Sequence, residues 1–507
     1  MPMRKLILLT AVALTCSMQL MAQPQIRPEV LDDPENTPRP VHPVPHQRQV
    51  DWMRTEFYAF YHYGMNTFTN KEWGNGDEKE SLYNPTADPN PRQWLEVAKS
   101  AGMKGGMAVV KHHDGFCLWP TATTSHNIMN SGNAHSAVNI PEEFAKAAKE
   151  LGMKYGFYVS PWDRNSAYWG RDEYVSEVFI KQCLELAQYG DDQFEMWFDG
   201  ASGDTGYYGG AYENRKIDRK YYYDFFNLRD TIHAINPNCV MWGDGGEARW
   251  IGNEAGYANE TNWCTINRVK GSDQPNAASG GEDGWCWMPG ESDWKATTAG
   301  WFWHSGEGIQ SCERLFQAYL ETVGRNATFI LNLPPDKSGS LPKQTVTRMQ
   351  ELGSMLKKRL GTDLARTEGV KVTASETRAD GATVTYSPMN VVDGNIGTYW
   401  AAEDGSEEGV TLTIELPEAK TIRYVTLMEH IALGQRVKSF EIETSTDGSA
   451  WKAFGGNMQK TTIGYKRIIA QNGSTASSYG TGVKAKYVRV TFKSVKSCPV
   501  MESIQLY

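Results

Sequence analysis

The chain has 507 residues, and 51 Lys and Arg against 60 Asp and Glu give it a formal net charge of −9. An acidic chain without a Lys/Arg-rich run repels phosphate backbones, so we expect no nucleic-acid partner. The seven cysteines after residue 22 are scattered without CxxC spacing. This spacing favours neither a disulfide framework nor a zinc site.

The first 22 residues are typical of an export signal peptide. Arg4 and Lys5 precede an apolar run over residues 6–14, and small and polar residues follow near Ala22. The run is too short for a permanent anchor, and no later segment reaches the ~20 apolar residues that spanning a bilayer requires. We therefore expect an exported protein, periplasmic or extracellular, without a transmembrane segment. Cys16 leaves lipid modification of the N-terminus as an alternative.

The distribution of tryptophan locates a domain boundary. All of the 17 tryptophans except Trp400 and Trp451 lie before residue 360. A charged helical stretch, Thr345 to Leu360, ends at Gly361 between the two parts. We predict a catalytic domain over residues 23–360 and a second domain over residues 361–507.

Strand-like and helix-like segments alternate in the first part, as in a parallel sheet. The predicted strands are Phe57–Tyr63, Gly106–Val110, Tyr155–Ser160, Glu195–Phe198, Val240–Gly243 and Thr328–Leu331. The predicted helices are Pro91–Ala101, Pro141–Leu151, Asp172–Tyr189, Arg219–Ile235 and Ile309–Val323. The pattern indicates an α/β fold of the TIM-like (β/α)8 barrel type. In such a barrel the carboxyl ends of the strands form the active-site face.

Polar residues follow several of these strands, so they should converge on that face. His112 and His113 end the second strand, but neighbouring strand residues point to opposite faces, which disfavours chelation of a metal by the pair. A structural histidine is the alternative for either residue alone. We expect no metal at this site.

Two carboxylates are candidates for a catalytic pair. Asp199 ends an apolar strand and precedes Gly200 and a Gly- and Tyr-rich loop, which favours a strand-tip nucleophile over a helix cap. Glu254 lies in a loop beyond the next predicted strand. Taken alone, Glu254 is equally well explained as a surface glutamate.

Together the motifs resemble those of the family 29 glycoside hydrolases, the α-L-fucosidases, over residues 50–335. The resemblance rests on Tyr61–Phe68, Lys71–Trp73, Lys111–Phe116 and Trp197–Gly200. The segment Trp250–Glu254 is similar to that of the subgroup that removes α-1,3- and α-1,4-linked fucose. The stretch from Asp199 to Glu254 is longer than expected for that subgroup, by an insertion near residues 203–210.

The resemblance implies a retaining reaction on fucosylated oligosaccharides or glycoconjugates. Retention needs two carboxyls about 5 to 5.5 Å apart, one to attack the anomeric carbon and one to protonate the leaving oxygen. Asp199 is assigned as the nucleophile and Glu254 as the acid/base, with Glu247 as the alternative because of the insertion. Such chemistry needs carboxylates, positioning and a dry pocket, so we expect no cofactor.

The resemblance also implies which residues bind the sugar. The implied ligands are His62, Glu72, Trp73, His112, His113 and Tyr158. Trp301 and Trp303 are expected beside the C5 methyl of fucose, since aromatic faces pack on apolar patches of sugars, although barrel packing explains them equally well. Arg249 is expected near the acid, with a surface salt bridge as the alternative.

The C-terminal part alternates apolar and polar residues, which predicts half-buried strands of an all-β antiparallel sandwich. The strand-like runs include Thr411–Leu416, Tyr424–Leu427 and Tyr487–Phe492. The segment Val392–Trp400 resembles part of the discoidin-type, galactose-binding modules. Such modules often bind glycans and are known with a structural Ca²⁺ near the turn that corresponds to Asp393–Asn395, although turn formation alone also explains this turn. We favour a mainly structural or weakly glycan-binding role.

Two rival functions remain open at this stage. A retaining glycosidase of different sugar specificity would share the carboxylate pair but lack the histidine cluster. A non-catalytic glycan-binding protein would keep the pocket, but the presence of both carboxylates gives this alternative no support.

Overall fold

The computed structural model describes residues 33–190, 192–271, 274–473 and 481–507. The predicted signal peptide and the alternative of lipidation at Cys16 lie outside these residues. Within them, no helix is long and apolar enough to cross a bilayer.

Eight parallel strands form the sheet of the first domain. They are β1 (Phe57–Tyr61), β2 (Gly105–Lys111), β3 (Lys154–Val159), β4 (Gln193–Trp197), β5 (Val240–Met241), β6 (Arg249–Trp250), β7 (Gly290–Lys295) and β8 (Ala327–Asn332). Their order in the sheet is β5-β4-β3-β2-β1-β8-β7-β6. Ala59 of β1 pairs with Gly106 on one side, and Phe57 pairs with Phe329 on the other. The sheet curls as a TIM-like half-barrel, which confirms the predicted fold class.

Helices cover the outside of this sheet. Their bounds are α1 (Gln47–Met53), α2 (Met65–Thr69), α3 (Pro91–Ser100), α4 (Ile140–Leu151), α5 (Asp172–Tyr174), α6 (Ile180–Ala187), α7 (Arg219–Tyr222), α8 (Phe225–Ile235), α9 (Cys312–Thr322) and α10 (Lys343–Leu360). The predicted helix Asp172–Tyr189 contains a π-helical turn at Val175–Phe179. The predicted helix Arg219–Ile235 is divided before Phe225, because Asp224 caps α8 by accepting a hydrogen bond from Asn227 N (3.4 Å).

Polar groups lie inside the barrel beneath the active-site face. The Tyr58 hydroxyl contacts both Glu195 and Glu291, at 2.8 Å from Glu195 Oε2. Trp197 Nε1 donates to Glu291 Oε1 (2.7 Å). Burial raises the pKa of both glutamates well above its usual range. The barrel interior therefore holds neutral carboxyls that fix Trp197 from below.

The second domain is an antiparallel β-sandwich, as predicted. Its strands are β9 (Lys371–Ala374), β10 (Trp400–Ala401), β11 (Val410–Ile422), β12 (Tyr424–Glu429), β13 (Val437–Ser445), β14 (Lys452–Ala453), β15 (Arg467–Ala470), β16 (Val483–Val495) and β17 (Val500–Leu506). One sheet has the order β9-β11-β16-β13-β14, and the other has the order β10-β17-β12-β15. Between the sheets, the rings of Trp400 and Phe492 stack with centroids 5.9 Å apart.

The sandwich docks on the amino ends of barrel strands. Glu56, directly before β1, accepts a hydrogen bond from the Tyr465 hydroxyl (2.9 Å) and pairs with Lys466. Burial opposes ionisation of Glu56, but Lys466 and Lys104 lower its pKa to about 2. Asn326, directly before β8, accepts from Tyr465 N (2.7 Å). Since the carboxyl ends of these strands face the other way, the sandwich buttresses the barrel from behind the active-site face.

The turn at Asp393 is explained by its own hydrogen bonds. Asp393 Oδ1 accepts from Asn395 N (2.7 Å), and Oδ2 accepts from the Thr398 hydroxyl (2.7 Å). Among the described residues, no group of three or more His, Cys, Asp or Glu side chains is arranged to hold a metal ion. These two contacts account for the conformation of the turn.

Candidate active site

A cavity of about 320 Å³ opens at the carboxyl ends of the barrel strands. This volume lies at the lower end of the range for small-ligand sites. The cavity is lined by Phe60, His62, Trp73, His112, His113, Tyr158, Trp197, Asp199, Gly200, Ala201, Trp242, Trp250, Glu254, Asp293 and Trp301. The structure therefore brings together most of the site residues that the sequence predicts, from segments almost 240 residues apart.

Asp199 follows β4 and is held by two neutral donors. The Tyr158 hydroxyl donates to its Oδ2 (3.0 Å), and Ala201 N donates to its Oδ1 (2.7 Å). His113 Nε2 lies 3.7 Å from Oδ1. The side chain remains partly exposed to the pocket. Both carboxylate oxygens are thus oriented by hydrogen-bond donors.

Glu254 lines the open side of the same cavity and is solvent-exposed. Partial burial of its carboxyl against the pocket wall nevertheless raises its pKa, and the charge of Asp199 acts in the same direction. A hydrogen bond from Trp301 and the charge of Lys295 offset part of this shift. Asp199 and Glu254 therefore occupy different environments within one pocket, which suits them to different protonation states.

His62 and His113 are neutral, with defined proton positions. Burial lowers the pKa of His62 to about 4, and burial also lowers that of His113 well below its usual value. Asn332 donates through its Nδ2 to Trp301 O (2.7 Å), so its Oδ1 accepts from His62 Nδ1 (2.8 Å). This contact fixes the Nδ1–H tautomer of His62 and leaves its Nε2 as a hydrogen-bond acceptor. A similar contact, described next, does the same for His113.

His113 makes the corresponding contact with the hydroxyl of Ser160. Ser160 donates to Trp162 O (2.7 Å), so its oxygen accepts from His113 Nδ1 (2.7 Å). His112 is different, because its buried Nδ1 has no hydrogen-bond partner among the residues that the structure describes. Its ring stacks on Tyr158 with centroids 5.7 Å apart, and burial lowers its pKa well below the usual value.

Glu72 lies outside the cavity lining, and its role as a sugar ligand stays a prediction. Its Oε2 accepts from Trp301 N (2.6 Å), and its Oε1 contacts His304 Nε2 (2.7 Å). The backbone of Gly300 lies close against the Glu72 carboxylate, and a side chain at this position would displace that carboxylate. Glu72 therefore anchors the loop that carries Trp301 into the pocket.

Three other predicted residues are also outside the lining. The buried guanidinium of Arg249 donates to backbone and side-chain oxygens beneath the sheet, including Asn262 Oδ1 (2.7 Å). Trp303 is partly buried outside the cavity. Glu247 is buried between Arg48 (Nε, 2.7 Å) and His233 (3.1 Å). Glu247 thus has structural partners that occupy its carboxylate.

Asp293 is a third carboxyl in the pocket, and the sequence analysis did not identify it. It lies on β7, is 4 % exposed, and accepts a hydrogen bond from Trp250 Nε1 (2.8 Å). Burial, with the charges of Glu254 and Asp199, raises its pKa to about 7. The only sequence signal was the polar alternation of β7, which carries Glu291 and Asp293 on its inward side.

We expect Asp293→Asn to stabilise the protein increasingly as the pH rises. The pKa of Asp293 is about 7 in the folded protein, above the value of 3.8 for a free aspartate. As the pH rises, the carboxyl therefore loses its proton in the unfolded chain before it does so in the folded protein. Between these two pH values, Asp293 lowers the free energy of unfolding. The free energy of unfolding of the variant minus that of the wild type should grow by up to about 1.4 kcal/mol per pH unit from pH 4 to 7. Urea unfolding at each pH measures this, with the exposed Asp230→Asn as the control. A difference that does not vary with pH would contradict the raised pKa.

We expect Glu72→Ala to weaken substrate binding more than it slows turnover. Loss of the contacts with Trp301 N and His304 releases the loop that presents Trp301, while Asp199 and its donors are untouched. KM for an aryl fucoside should rise about tenfold or more, while kcat stays within a few-fold of wild type. This rise corresponds to the loss of about one to two kcal/mol of binding free energy that is expected for the lost hydrogen bonds. Glu72→Gln should recover part of the loss. A fall in kcat with unchanged KM would instead indicate a direct role in the reaction.

Comparisons with known proteins agree with this geometry. The family model described as "Alpha-L-fucosidase" matches residues 41–360, and the "F5/8 type C domain" model matches residues 371–502. The chain is 34% identical to Alpha-L-fucosidase 1 of Arabidopsis thaliana over 93% of its own length and 88% of the relative. A putative α-L-fucosidase of Bacteroides thetaiotaomicron superposes with a TM-score of 0.80 at 30% identity, over 93% of this chain and 99% of that one.

A glycoside hydrolase family 29 fucosidase of Ruminococcus gnavus, solved in complex with fucose, superposes with a TM-score of 0.81 at 29% identity. The superposition covers 94% of this chain and 98% of that one. The barrel, the paired carboxyls and these relatives agree, and the chain belongs to the α-L-fucosidase family, glycoside hydrolase family 29, with a C-terminal F5/8 type C domain.

Proposed function

We propose that this protein is an exo-acting, retaining α-L-fucosidase that releases terminal α-1,3- or α-1,4-linked L-fucose through a covalent fucosyl-enzyme intermediate. The observation that carries the proposal is the pairing, in one cavity, of Asp199 held by neutral donors with Glu254 whose pKa is raised. A retaining reaction needs one carboxylate that stays ionised and one carboxyl that can give up a proton and take it back.

In the first step, Asp199 attacks the anomeric carbon of fucose, and the bond from that carbon to the leaving oxygen breaks. Tyr158 and Ala201 N keep the carboxylate oriented without neutralising it. Glu254 transfers its proton to the leaving oxygen. The products of this step are the free aglycone and a fucosyl ester of Asp199.

In the second step, Glu254 acts as the base. It takes a proton from water, the water oxygen attacks the anomeric carbon, and the ester bond to Asp199 breaks. Fucose leaves with its original anomeric configuration, and both carboxyls return to their starting states. The raised pKa of Glu254 supports both roles, because it keeps more of the carboxyl protonated for the first step and makes the carboxylate a stronger base for the second.

Recognition of fucose follows from the neutral histidines and the aromatic walls. The Nε2 atoms of His62 and His113 accept hydrogen bonds from hydroxyl groups of the sugar. Trp301 packs 5.1 Å from the His62 ring and supplies an apolar surface for the C5 methyl. Trp73, 48% exposed, lies at the rim. An aspartate-to-alanine variant of the Ruminococcus gnavus relative was also solved in complex with fucose. This supports the expectation that fucose binds without one of the carboxylates.

The segment Trp250–Glu254 supports the α-1,3/1,4 preference, because it resembles that of the subgroup with this specificity. The test is a panel of α-1,2-, α-1,3-, α-1,4- and α-1,6-linked fucosyl oligosaccharides with an aryl α-L-fucoside. We expect α-1,3 and α-1,4 linkages to be cleaved with the highest kcat/KM and the product first formed to be α-L-fucose by NMR.

Each other outcome of this panel contradicts a defined part of the proposal. A preference for α-1,2 or α-1,6 linkages contradicts the linkage, and initial release of the β-anomer contradicts retention. Aryl glycosides of other sugars, run beside the fucoside, identify a glycosidase of different specificity. Binding of fucose without hydrolysis of any substrate would identify a glycan-binding protein.

We also propose that the protein works outside the cytoplasm. Arg4 and Lys5 followed by the apolar run over residues 6–14 support export. The N-terminus of the mature protein, determined by mass spectrometry after expression in a bacterial host, is expected to begin near residue 23. An intact N-terminus on the protein in the cytoplasm would contradict export.

A further inference from the structure

A second cavity of about 380 Å³ lies beside the catalytic pocket. Arg219 Nη1, on its wall, donates to Ala201 O (2.9 Å), and Ala201 itself lines the catalytic pocket. Asp244, also on its wall, follows Trp242 of the catalytic pocket by two residues. The second cavity is lined by Arg219, Lys220, Tyr221, Tyr223, Asp224, Phe225, Phe226, Asp244, Arg268, Lys270 and Gly271. The walls of the two cavities are therefore joined by the hydrogen bond from Arg219 to Ala201 and by the short segment from Trp242 to Asp244.

The second cavity is positively charged although the protein carries a net charge of −9. Its wall has four cations against two carboxylates. Arg219 is neutralised by Asp244, with Nε 2.8 Å from Oδ2. The described residues place no carboxylate within ion-pair distance of the other three cations, Lys220, Arg268 and Lys270. Among the described residues, the wall of the cavity therefore carries an excess of unpaired positive charge.

Arg268 is the most informative of these cations. It is half-buried, and its guanidinium contacts only a backbone oxygen, Asp244 O at 3.3 Å, among the described acceptors. A Cβ at Gly246 would lie 2.1 Å from the guanidinium, so the neighbouring turn is shaped around it. A partly desolvated cation without an anionic partner is unfavourable in the free protein. An anion that enters the cavity would remove this cost.

Exposed aromatic rings lie beside the cations, an arrangement that suits the binding of a sugar. Tyr221 is 72% exposed and Phe226 is 47% exposed. Lys270 Nζ lies 4.6 Å from the centre of the Tyr221 ring, and the Arg268 guanidinium lies 5.1 Å from that of Phe226. Exposed rings that flank charged donors can pack on the apolar face of a pyranose while the cations bind its charged substituent.

We propose that this cavity is a subsite for an anionic sugar of the aglycone, one that carries a carboxylate or a sulfate ester close to the fucosylated unit. The proposal rests on the proposed fucosidase function, since the ligand reaches the cavity as part of a fucosylated substrate. The catalytic pocket takes the terminal fucose, and the neighbouring cavity selects glycans by their charge. The three unpaired cations are specificity-determining residues and take no part in bond cleavage.

The test compares substrates that differ only in charge. Matched α-1,3/1,4-fucosyl oligosaccharides are used in neutral, sulfated and carboxylated forms, with an aryl fucoside as the substrate that cannot reach the cavity. We expect the wild type to hydrolyse one or both anionic forms with kcat/KM about tenfold above that of the neutral form. Raising the salt from 0.05 to 0.5 M should reduce this preference, because the Debye length shortens from about 14 to 4 Å. The sulfated and carboxylated arms distinguish the two sources of charge.

Two variants assign the effect to the cavity. Arg268→Gln and Lys270→Gln are each expected to lower kcat/KM for the anionic substrate by about threefold to tenfold, and to leave the aryl fucoside and neutral glycan unchanged. Lys216→Gln, an exposed lysine outside the cavity, is the matched control. Activity on the aryl fucoside also reports whether each variant is folded.

The outcomes separate this inference from the proposed function. Hydrolysis of the aryl fucoside without any preference for anionic substrates overturns the anionic subsite and leaves the fucosidase proposal intact. An equal loss on neutral and anionic substrates in the two variants also overturns the subsite. Absence of all fucoside hydrolysis in the wild type contradicts the proposed function itself.

Discussion

Asp199→Ala is expected to lower kcat for every fucoside by at least about 10⁴-fold, because no other group can form the covalent intermediate. Tyr158 and Ala201 N lose an acceptor, but the histidines and Trp301 that hold the sugar do not depend on Asp199 for their positions. We therefore expect the variant to bind fucose with an affinity within about tenfold of wild type. Steady-state kinetics with an aryl fucoside and calorimetric titration with fucose measure the two quantities.

The control for this prediction is Asp230→Ala, at an exposed aspartate of α8. It should retain wild-type kcat. A kcat near that of wild type in Asp199→Ala would contradict the assignment of the nucleophile. Loss of both turnover and sugar binding, with an unchanged unfolding curve, would instead assign Asp199 to substrate binding.

Glu254→Ala is expected to lower kcat/KM by a factor that depends on the leaving group of the substrate. For natural glycans, whose sugar alcohol leaves only with a proton, kcat/KM should fall by about 10² to 10⁴, the usual contribution of general acid catalysis. For an aryl fucoside with an acidic phenol, kcat/KM should change by less than about tenfold. The second step still lacks its base, so kcat should fall on both substrates, and added azide should raise kcat by replacing water and yield fucosyl azide.

Glu247 and Asp293 are the controls for the acid/base assignment. Glu247→Gln should lower stability, because it breaks the contacts with Arg48 and His233, without changing the ratio of the two kcat/KM values. Equal losses on both substrates in Glu254→Ala would contradict its role as the acid. The same leaving-group dependence in Asp293→Asn would move that role to Asp293, the other protonatable carboxyl of the pocket.

The raised pKa of Glu254 also sets the pH dependence of the first step. The carboxyl must carry a proton to act as the acid, so kcat/KM for natural glycans should decline as the pH rises through its raised pKa. This alkaline limb should disappear in Glu254→Ala when an aryl fucoside is the substrate.

Much of the fold followed from local sequence patterns. The apolar runs of β1 to β5 and β8 are buried on both faces and end in polar residues, so their alternation with helices predicts the barrel. Two strands were not predicted. β6 has only two residues, and β7 carries Glu291 and Asp293, inward carboxyls that interrupt the apolar pattern expected of a parallel strand.

The same reason explains which site residues could be predicted. His112, His113 and Asp199 lie at the ends of predicted strands, so local reasoning placed them on the active-site face. Asp293 lies on the strand that was not predicted, and its position depends on contacts with Trp250 that are distant in sequence.

Glu72 and Arg249 show the converse limit of local reasoning. The residue types suit sugar binding, but the partners that occupy them come from other segments. Glu72 accepts a hydrogen bond from Trp301 N and contacts His304. Arg249 donates hydrogen bonds to Asn262 and to backbone oxygens. Only the folded arrangement reveals these contacts.

The central claim is that Asp199 becomes covalently bonded to fucose during turnover. The most direct measurement is mass spectrometry of peptides from enzyme treated with a 2-deoxy-2-fluoro-fucosyl fluoride, which forms the intermediate quickly and loses it slowly. We expect one added deoxyfluorofucosyl group per chain, on the peptide that contains Asp199, with time-dependent loss of activity. Labelling of a different carboxyl, or inactivation with no covalent adduct, would contradict the account.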